Sequence, residues 1–252
     1  MELSIILLKK LVLQNENGGI KMSQVSYEIG FKDRVDAANK LIDTLPQKQM
    51  KDDNWLLVSI SAQGAFITNI IAEKLNLCYD LLFCEPILAP NNSSCMIGMV
   101  SETEEIVLNS ELVDSFGINL DFIYSEAHRR YEEKIIPMVY KYRKGDLISS
   151  LEGKNVLLID DGCETGITVM TSIKTVINAG VKSVAYATPI ISDDVADSLE
   201  PVVDEMFCVY QVEDFVGVEF YYEILKELDT EDVLGIISNS KHYLPFQKRG
   251  RK

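Results

Sequence analysis

Short apolar runs alternate along the chain with stretches whose apolar residues recur every three or four positions. Residues 55–60, 77–84, 156–159, 183–188 and 206–210 read as buried strands, continuous in apolar character rather than alternating. Between them the helical spacing appears at Val35, Ala38, Leu41, Ile42 and Leu45, and again at Phe66, Ile67, Ile70, Ile71 and Leu75. Ile167, Met170, Ile173, Val176 and Ile177 mark a further helix over 165–179, with Gly180 as its stop. Shorter helices are expected over 192–199 and 229–237, and a long one over 119–134 that should end or kink near Pro137. Strand followed by helix, repeated, predicts an α/β protein with a doubly wound, mainly parallel twisted sheet. Residues 48–54 read as a polar loop and 85–99, with Pro86, Pro90 and Asn91 to Ser94, as an irregular segment of the kind that closes over a site.

Two of the strand–helix junctions carry candidate chemistry. After the strand 156–159 come Asp160, Asp161, Gly162, Cys163, Glu164, Thr165, Gly166, Ile167 and Thr168. A helix start presents amides with no intrahelical partner and the positive end of the dipole, so a turn of small residues there suits an anion. Gly162 and Gly166 remove Cβ atoms that would hold a phosphate away, and Thr165 and Thr168 add hydroxyl donors. Two carboxylates accept hydrogen bonds and suit a diol or a hydrated cation. An anion site beside a diol site describes a sugar phosphate. The second junction, Ser61, Ala62, Gln63 and Gly64 after the strand 55–60, repeats the device with a plainer turn. A P-loop, a G-x-G-x-x-G turn and an Asp-x-Asp phosphatase pattern are all absent from the sequence.

At Val156 to Thr168 the chain resembles the type I phosphoribosyltransferases, whose marker is a hydrophobic strand, two acids and a short loop ending in Thr-Gly-x-Thr. The resemblance implies that Asp160 and Asp161 hold the ribose hydroxyls of phosphoribosyl pyrophosphate (PRPP), and that Gly162 through Thr168 hold its 5′-phosphate. It gives Ser61 to Gly64 the pyrophosphate, and Mg²⁺ would be held near Asp160 and Asp161 through ligand and water. It also makes Phe215, Val216 and Tyr221 part of an acceptor pocket. Glu164 stands where the hypoxanthine-guanine enzymes carry an Asp that handles a proton on the base, so it is a candidate for that work. One uncharacterised branch of the family has a basic pair, a Gly-Ala-Pro-like turn and an Ile-Gly segment; here the outline persists in Leu88-Ala89-Pro90 and Ile97-Gly98. The basic pair is replaced by Cys84-Glu85.

The resemblance spans 31–228, which divides the chain into an N-terminal extension (1–30), a phosphoribosyltransferase-like domain with a small hood, and a C-terminal helix with a basic tail (229–252). Two function classes follow from it. One is transfer of ribose 5-phosphate between PRPP and a nucleobase-like acceptor with Mg-pyrophosphate leaving. The other, suggested by Cys84-Glu85, is a nucleotide- or PRPP-binding regulatory protein without transfer; a hydrolase or phosphorylase is a weaker third. Family members commonly pair, which implies a homodimer.

Composition narrows the partners. A net charge of −15 argues against nucleic acid and acidic membranes, since phosphate backbones demand clustered Lys and Arg. Residues 1–13 are too short and too broken by Lys9 and Lys10 to span a bilayer, and Asn17-Gly18 suits a hairpin turn. Five scattered cysteines with no C-x-x-C indicate neither a disulfide framework nor a zinc site, and point to a reducing cytoplasm. Cys163 is given a packing role. Arg129, Arg130, Arg143 and Lys144 read as a solvated basic face, with Arg143 or Lys144 reaching the phosphate pocket as the alternative. Residues 241–252 hold five Lys or Arg and no acid, a tail expected to be solvated.

Overall fold

The computed structural model describes residues 12–14, 20–22, 30–90 and 92–247. Near the N-terminus β1 (Val12–Gln14) pairs antiparallel with β2 (Ile20–Met22), Gln14 opposite Ile20. The turn expected at Asn17-Gly18 and the apolar segment before Val12 lie outside the described residues.

Helix α1 (Arg34–Thr44) begins where Asp33 accepts the amides of Val35 (2.8 Å) and Asp36 (2.9 Å). Residues 47–52 are not the expected loop but a short helix, α2 (Gln47–Asp52), set by Pro46 and anchored by the fully buried Met50. Then come β3 (Leu56–Ser59), α3 (Ala65–Leu75) and β4 (Tyr79–Leu81). The segment expected to be irregular is ordered: β5 (Cys84–Ala89), β6 (Asn92–Ser101) and β7 (Ile106–Leu108) form an antiparallel sheet, the hood. Pro86 and the turn near Pro90 are accommodated because β5 is an edge strand with bulges at Ile87 and Leu88.

After α4 (Ser110–Ser115), α5 (Leu120–Arg130) runs through a π turn (Tyr131–Ile135) into α6 (Ile136–Arg143). Pro137 lacks the amide an α-helical ladder needs, and the widened turn lies immediately before it, the irregularity the sequence led us to expect there. The rest is β8 (Asn155–Ile159), α7 (Ile167–Asn178), β9 (Ser183–Ser192), α8 (Asp193–Leu199), β10 (Glu205–Val212), α9 (Thr230–Asn239) and α10 (Leu244–Gln247).

The main sheet is parallel throughout, ordered β10-β9-β8-β3-β4. Successive side chains leave its opposite faces. Leu57, Leu157, Ile159, Ala185 and Ala187 join the core beneath α1 and α3, whereas Leu56, Val58, Val156, Leu158 and Tyr186 pack with Val169, Ile173 and Val176 of α7. The doubly wound α/β architecture read from the sequence is therefore the observed one. Chain order reverses between β3 and β8, and in such sheets ligands sit at the carboxyl ends beside that reversal.

Two basic segments differ from expectation. Arg143 is neither on a solvated face nor in the pocket. It is fully buried, paired with Glu102 and laid over the Phe83 ring at 4.8 Å. Lys144 caps α6 in the left-handed region and sits over Phe246. In the C-terminal tail, Tyr243 is buried and bridges Tyr79 of β4, because its aromatic surface outweighs the local charge; residues 248–252 lie outside the described residues. Helix α9 packs on α3, with Val233 and Ile237 in the core.

Candidate functional site

Strands β3 and β8 are neighbours, Ser59 opposite Ile159, so the turns leaving them lie side by side. Ser61 Oγ donates to Asp160 Oδ1 at 2.6 Å and accepts the Gly64 amide at 2.9 Å. The turn after β3 is thereby tied to the acid pair after β8. Gly64 is required by closeness: a Cβ there would lie 3.1 Å from Asp160 Oδ1 and 3.0 Å from Ser59 Oγ.

Asp161 is held from the other side. Arg34, the first residue of α1, places Nε at 2.9 Å and Nη2 at 2.8 Å from Asp161 Oδ2. The same Nη2 donates to Gln63 Oε1 at 3.0 Å, and Nη1 donates to the Lys226 carbonyl. Gln63 then closes a two-way amide pair with Leu228, donating to its carbonyl at 2.9 Å and accepting its amide at 2.8 Å. Tyr222 donates its hydroxyl to the Asp161 carbonyl at 2.7 Å. The side chain of Gln63 is thus directed to the 226–228 segment, and the Ser61 hydroxyl to Asp160, leaving the turn's backbone as its contribution to any ligand.

Both acids are buried, with residue exposure of 9% each. Burial, reinforced by the charge of Asp161, pushes the Asp160 carboxyl up to about 8, against the smaller opposing effect of the Ser61 and Asp161 amide hydrogen bonds. Burial thus favours the protonated form of the Asp160 carboxyl.

The turn 162–166 meets α7 as expected. Gly166 caps the helix at φ +71°, a left-handed conformation, and a Cβ there would strike Val195 at 2.7 Å. Ile167 and Thr168 fall in the first turn of a twelve-residue helix, where amides lack intrahelical acceptors. Thr165 and Glu164 are exposed, and Thr168 is half-buried. Cys163 is buried, its amide bonded to Ile190 O at 2.9 Å, and burial pushes its thiol up to about 12. Packing, not reactivity, is its part.

Of the residues expected at an acceptor pocket, Phe215 and Tyr221 pack with tilted rings, centroids 5.4 Å apart, and Tyr221 is buried; Val216 is exposed. The segment lies against the turn 162–166, since a Cβ on Gly162 would meet Val218 at 2.5 Å. In the hood, Cys84 is half-buried against α7, its sulfur 3.8 Å from Ser172 Oγ. Glu85 is half-buried, and burial raises its pKa while Arg130 and Lys134 pull the other way. The cations acting on Glu85 therefore come from α5 and the π turn, not from the hairpin.

Among the described residues no three His, Cys, Asp or Glu side chains stand together as metal ligands, and Asp161 Oδ2 already carries a guanidinium. These side chains do not fit a protein-built cage for Mg²⁺. No helix among the described residues is long and apolar enough to cross a membrane.

Sequence reasoning missed Arg34. A signal was present: an arginine directly after an N-cap aspartate stands at the positive end of a helix, where local electrostatics disfavours it. A tertiary partner accounts for the choice.

A parallel sheet with two turns meeting at its point of reversal, one bearing an acid pair and a helix start, defines a protein of the phosphoribosyltransferase fold. The phosphoribosyl transferase domain matches residues 102–233, more than half of the chain, and the protein belongs to that family. Two Mycobacterium tuberculosis proteins, Rv0571c of strain H37Rv and MT0597 of strain CDC 1551, both named provisionally as phosphoribosyl transferases, are 24% identical over 211 residues. The match covers 83% of this chain but 47% of theirs, so the chain spans about half the length of these relatives. The crystal structure of TT1426 from Thermus thermophilus superposes with a TM-score of 0.67 at 24% identity, covering 82% of this chain and 97% of that one, a likeness of fold.

Proposed function

We propose that the protein transfers ribose 5-phosphate between PRPP and a nitrogenous, nucleobase-like acceptor. The observation that carries this reading is the Ser61–Asp160 hydrogen bond of 2.6 Å at the sheet's reversal point, which makes one site of two turns. In this reading Asp160 and Asp161 take the ribose hydroxyls. The backbone of Gly162, Glu164, Gly166 and Ile167, with the hydroxyls of Thr165 and Thr168, takes the 5′-phosphate, while the Cys163 amide stays bonded to Ile190 O. Ser61, Ala62, Gln63 and Gly64 border the pyrophosphate, with the amides of Ala62 and Gln63 as its donors, since the Ser61 hydroxyl and the Gly64 amide are engaged within the turn. Phe215, Val216 and Tyr221 border the acceptor.

The C1–oxygen bond breaks, pyrophosphate leaves with the electron pair, and the acceptor nitrogen bonds to C1. The exposed Glu164 removes the proton that nitrogen loses. Most of the protein's contribution is alignment and electrostatics: a fixed sugar, an amide-lined phosphate and a buried carboxyl pair beneath a developing oxocarbenium. Mg²⁺ belongs to the substrate here, arriving on the pyrophosphate with water completing its shell.

Residues 31–228 are the unit this reading needs, with 229–247 laid on its α3 side, and a cytoplasmic homodimer is the assembly proposed. Titration calorimetry with PRPP and Mg²⁺ tests the reading, and no heat at millimolar ligand refutes it. Binding without transfer is the second reading, favoured by Cys84 and Glu85 in the hairpin: saturable PRPP binding with no pyrophosphate release for any purine or pyrimidine base would establish it. Full transfer by Glu164→Gln would remove Glu164 from proton handling.

A further inference from the structure

Resting on the sugar-phosphate reading above, we infer that Arg34 is a positioning residue of this site: it grips Asp161 by one carboxylate oxygen, ties it to Gln63 and the Lys226 carbonyl, and so presents the acid pair to a diol.

Four chain segments converge on one guanidinium. Arg34 comes from the start of α1, Asp161 from the turn after β8, Gln63 from the turn after β3, and Lys226 from the segment before α9. Nε and Nη2 both point at Oδ2, so the guanidinium leaves Oδ1 of Asp161 unclaimed. On Asp160, likewise, the Ser61 hydroxyl and the Asp161 amide both go to Oδ1. One oxygen of each acid is thus held by the protein's own donors, which fixes how both carboxyls are turned toward a ligand.

A purely structural ion pair is a poor explanation for this arrangement. Buried pairs return little net stability, and this one sets a cation at the positive end of a helix. Its place is equally telling. An ionised carboxylate buried here repels any phosphate nearby. The guanidinium against Asp161 balances that charge while leaving its Oδ1 uncovered by the arginine. In a chain whose hood hairpin carries Cys84 and Glu85, Arg34 supplies a cation in contact with the candidate ligand residues themselves.

The test separates the diol from the phosphate. Full-length wild type, Arg34→Lys and Arg34→Met are titrated with ribose 5-phosphate and, separately, with inorganic phosphate, with circular dichroism recorded for each. Arg34→Lys keeps the charge but cannot reach Asp161, Gln63 and Lys226 together, so ribose 5-phosphate should bind it at least about tenfold more weakly, and Arg34→Met more weakly still. Inorganic phosphate should bind all three proteins within about twofold, because its site is the start of α7. Unchanged ribose 5-phosphate affinity in Arg34→Lys overturns the inference and leaves the sugar-phosphate reading standing. Equal weakening of both ligands also overturns it, making Arg34 a structural residue. A wild type that binds neither ligand removes the sugar-phosphate reading and the inference together. Should Arg34→Met not fold, the Lys variant alone decides.

Discussion

Replacing Asp160 by Asn should change how stability depends on pH, not merely how stable the protein is. In the native protein burial and the neighbouring Asp161 push the Asp160 carboxyl from 3.8 up to about 8. Between those values the folded state holds a proton that the unfolded chain has released. Stability therefore falls as pH rises through this window, and is flat below the unfolded value and above the folded one. A single proton sets a ceiling of about 1.4 kcal/mol per pH unit. From about pH 5 to pH 7.5 the wild type should thus lose about 3 kcal/mol through this pair that the variant does not lose.

Asn retains an oxygen to accept from Ser61 Oγ, so the tie between the two turns survives. Urea unfolding of both proteins at half-unit steps from about pH 5 to 8.5 gives the two curves. Their difference isolates the acid pair, because Glu102 and Glu85, whose carboxyls are also raised by burial, are common to both. The proton belongs to the pair rather than to a named oxygen, and the difference curve does not depend on which acid carries it. Expected is a variant that gains on the wild type steadily with pH. Parallel curves would refute the claim that this site holds a proton at neutral pH, and with it the burial argument that places the pair inside the protein.

Two further outcomes follow from the hood and the cysteines. Arg143→Met leaves Glu102, whose side chain is 1% exposed, without its guanidinium, and should cost about 3–5 kcal/mol in thermal or urea unfolding. Pairing it with Glu102→Leu should recover most of that, and a single variant losing under about 1 kcal/mol would contradict the buried pair. Burial pushes both the Cys84 and Cys163 thiols up to about 12, so in the native protein at about pH 8 iodoacetamide should leave them unmodified by mass spectrometry, with labelling only after guanidinium unfolding. Fast native labelling of Cys163 would show a reactive thiol in the turn between β8 and α7.

Why the strands around the site were legible and its clamp was not comes down to the range over which each is determined. Val156 to Ile159 is buried on both faces by its own composition, and Gly166 caps α7 at φ +71° where a side chain would be strained, so strand, turn and helix are written within a dozen neighbouring residues. The hood was misread because Pro86, Pro90 and the run of Asn and Ser signal loop locally. Its strands exist through pairing with β6 and packing against α5 and α7, which no local pattern records. Arg34 is the extreme case, 127 residues from Asp161 along the chain. Its only local trace is a cation placed where the helix dipole opposes it. Arg143 left no such trace, since a basic residue in the last turn of a helix is electrostatically ordinary, and only the approach of Glu102 and Phe83 makes it a core residue. Charged side chains that conflict with their local setting are therefore the ones a sequence reader should expect to be held by distant partners. In this chain that conflict sits at the start of α1, against the carboxylate pair on which the proposed chemistry depends.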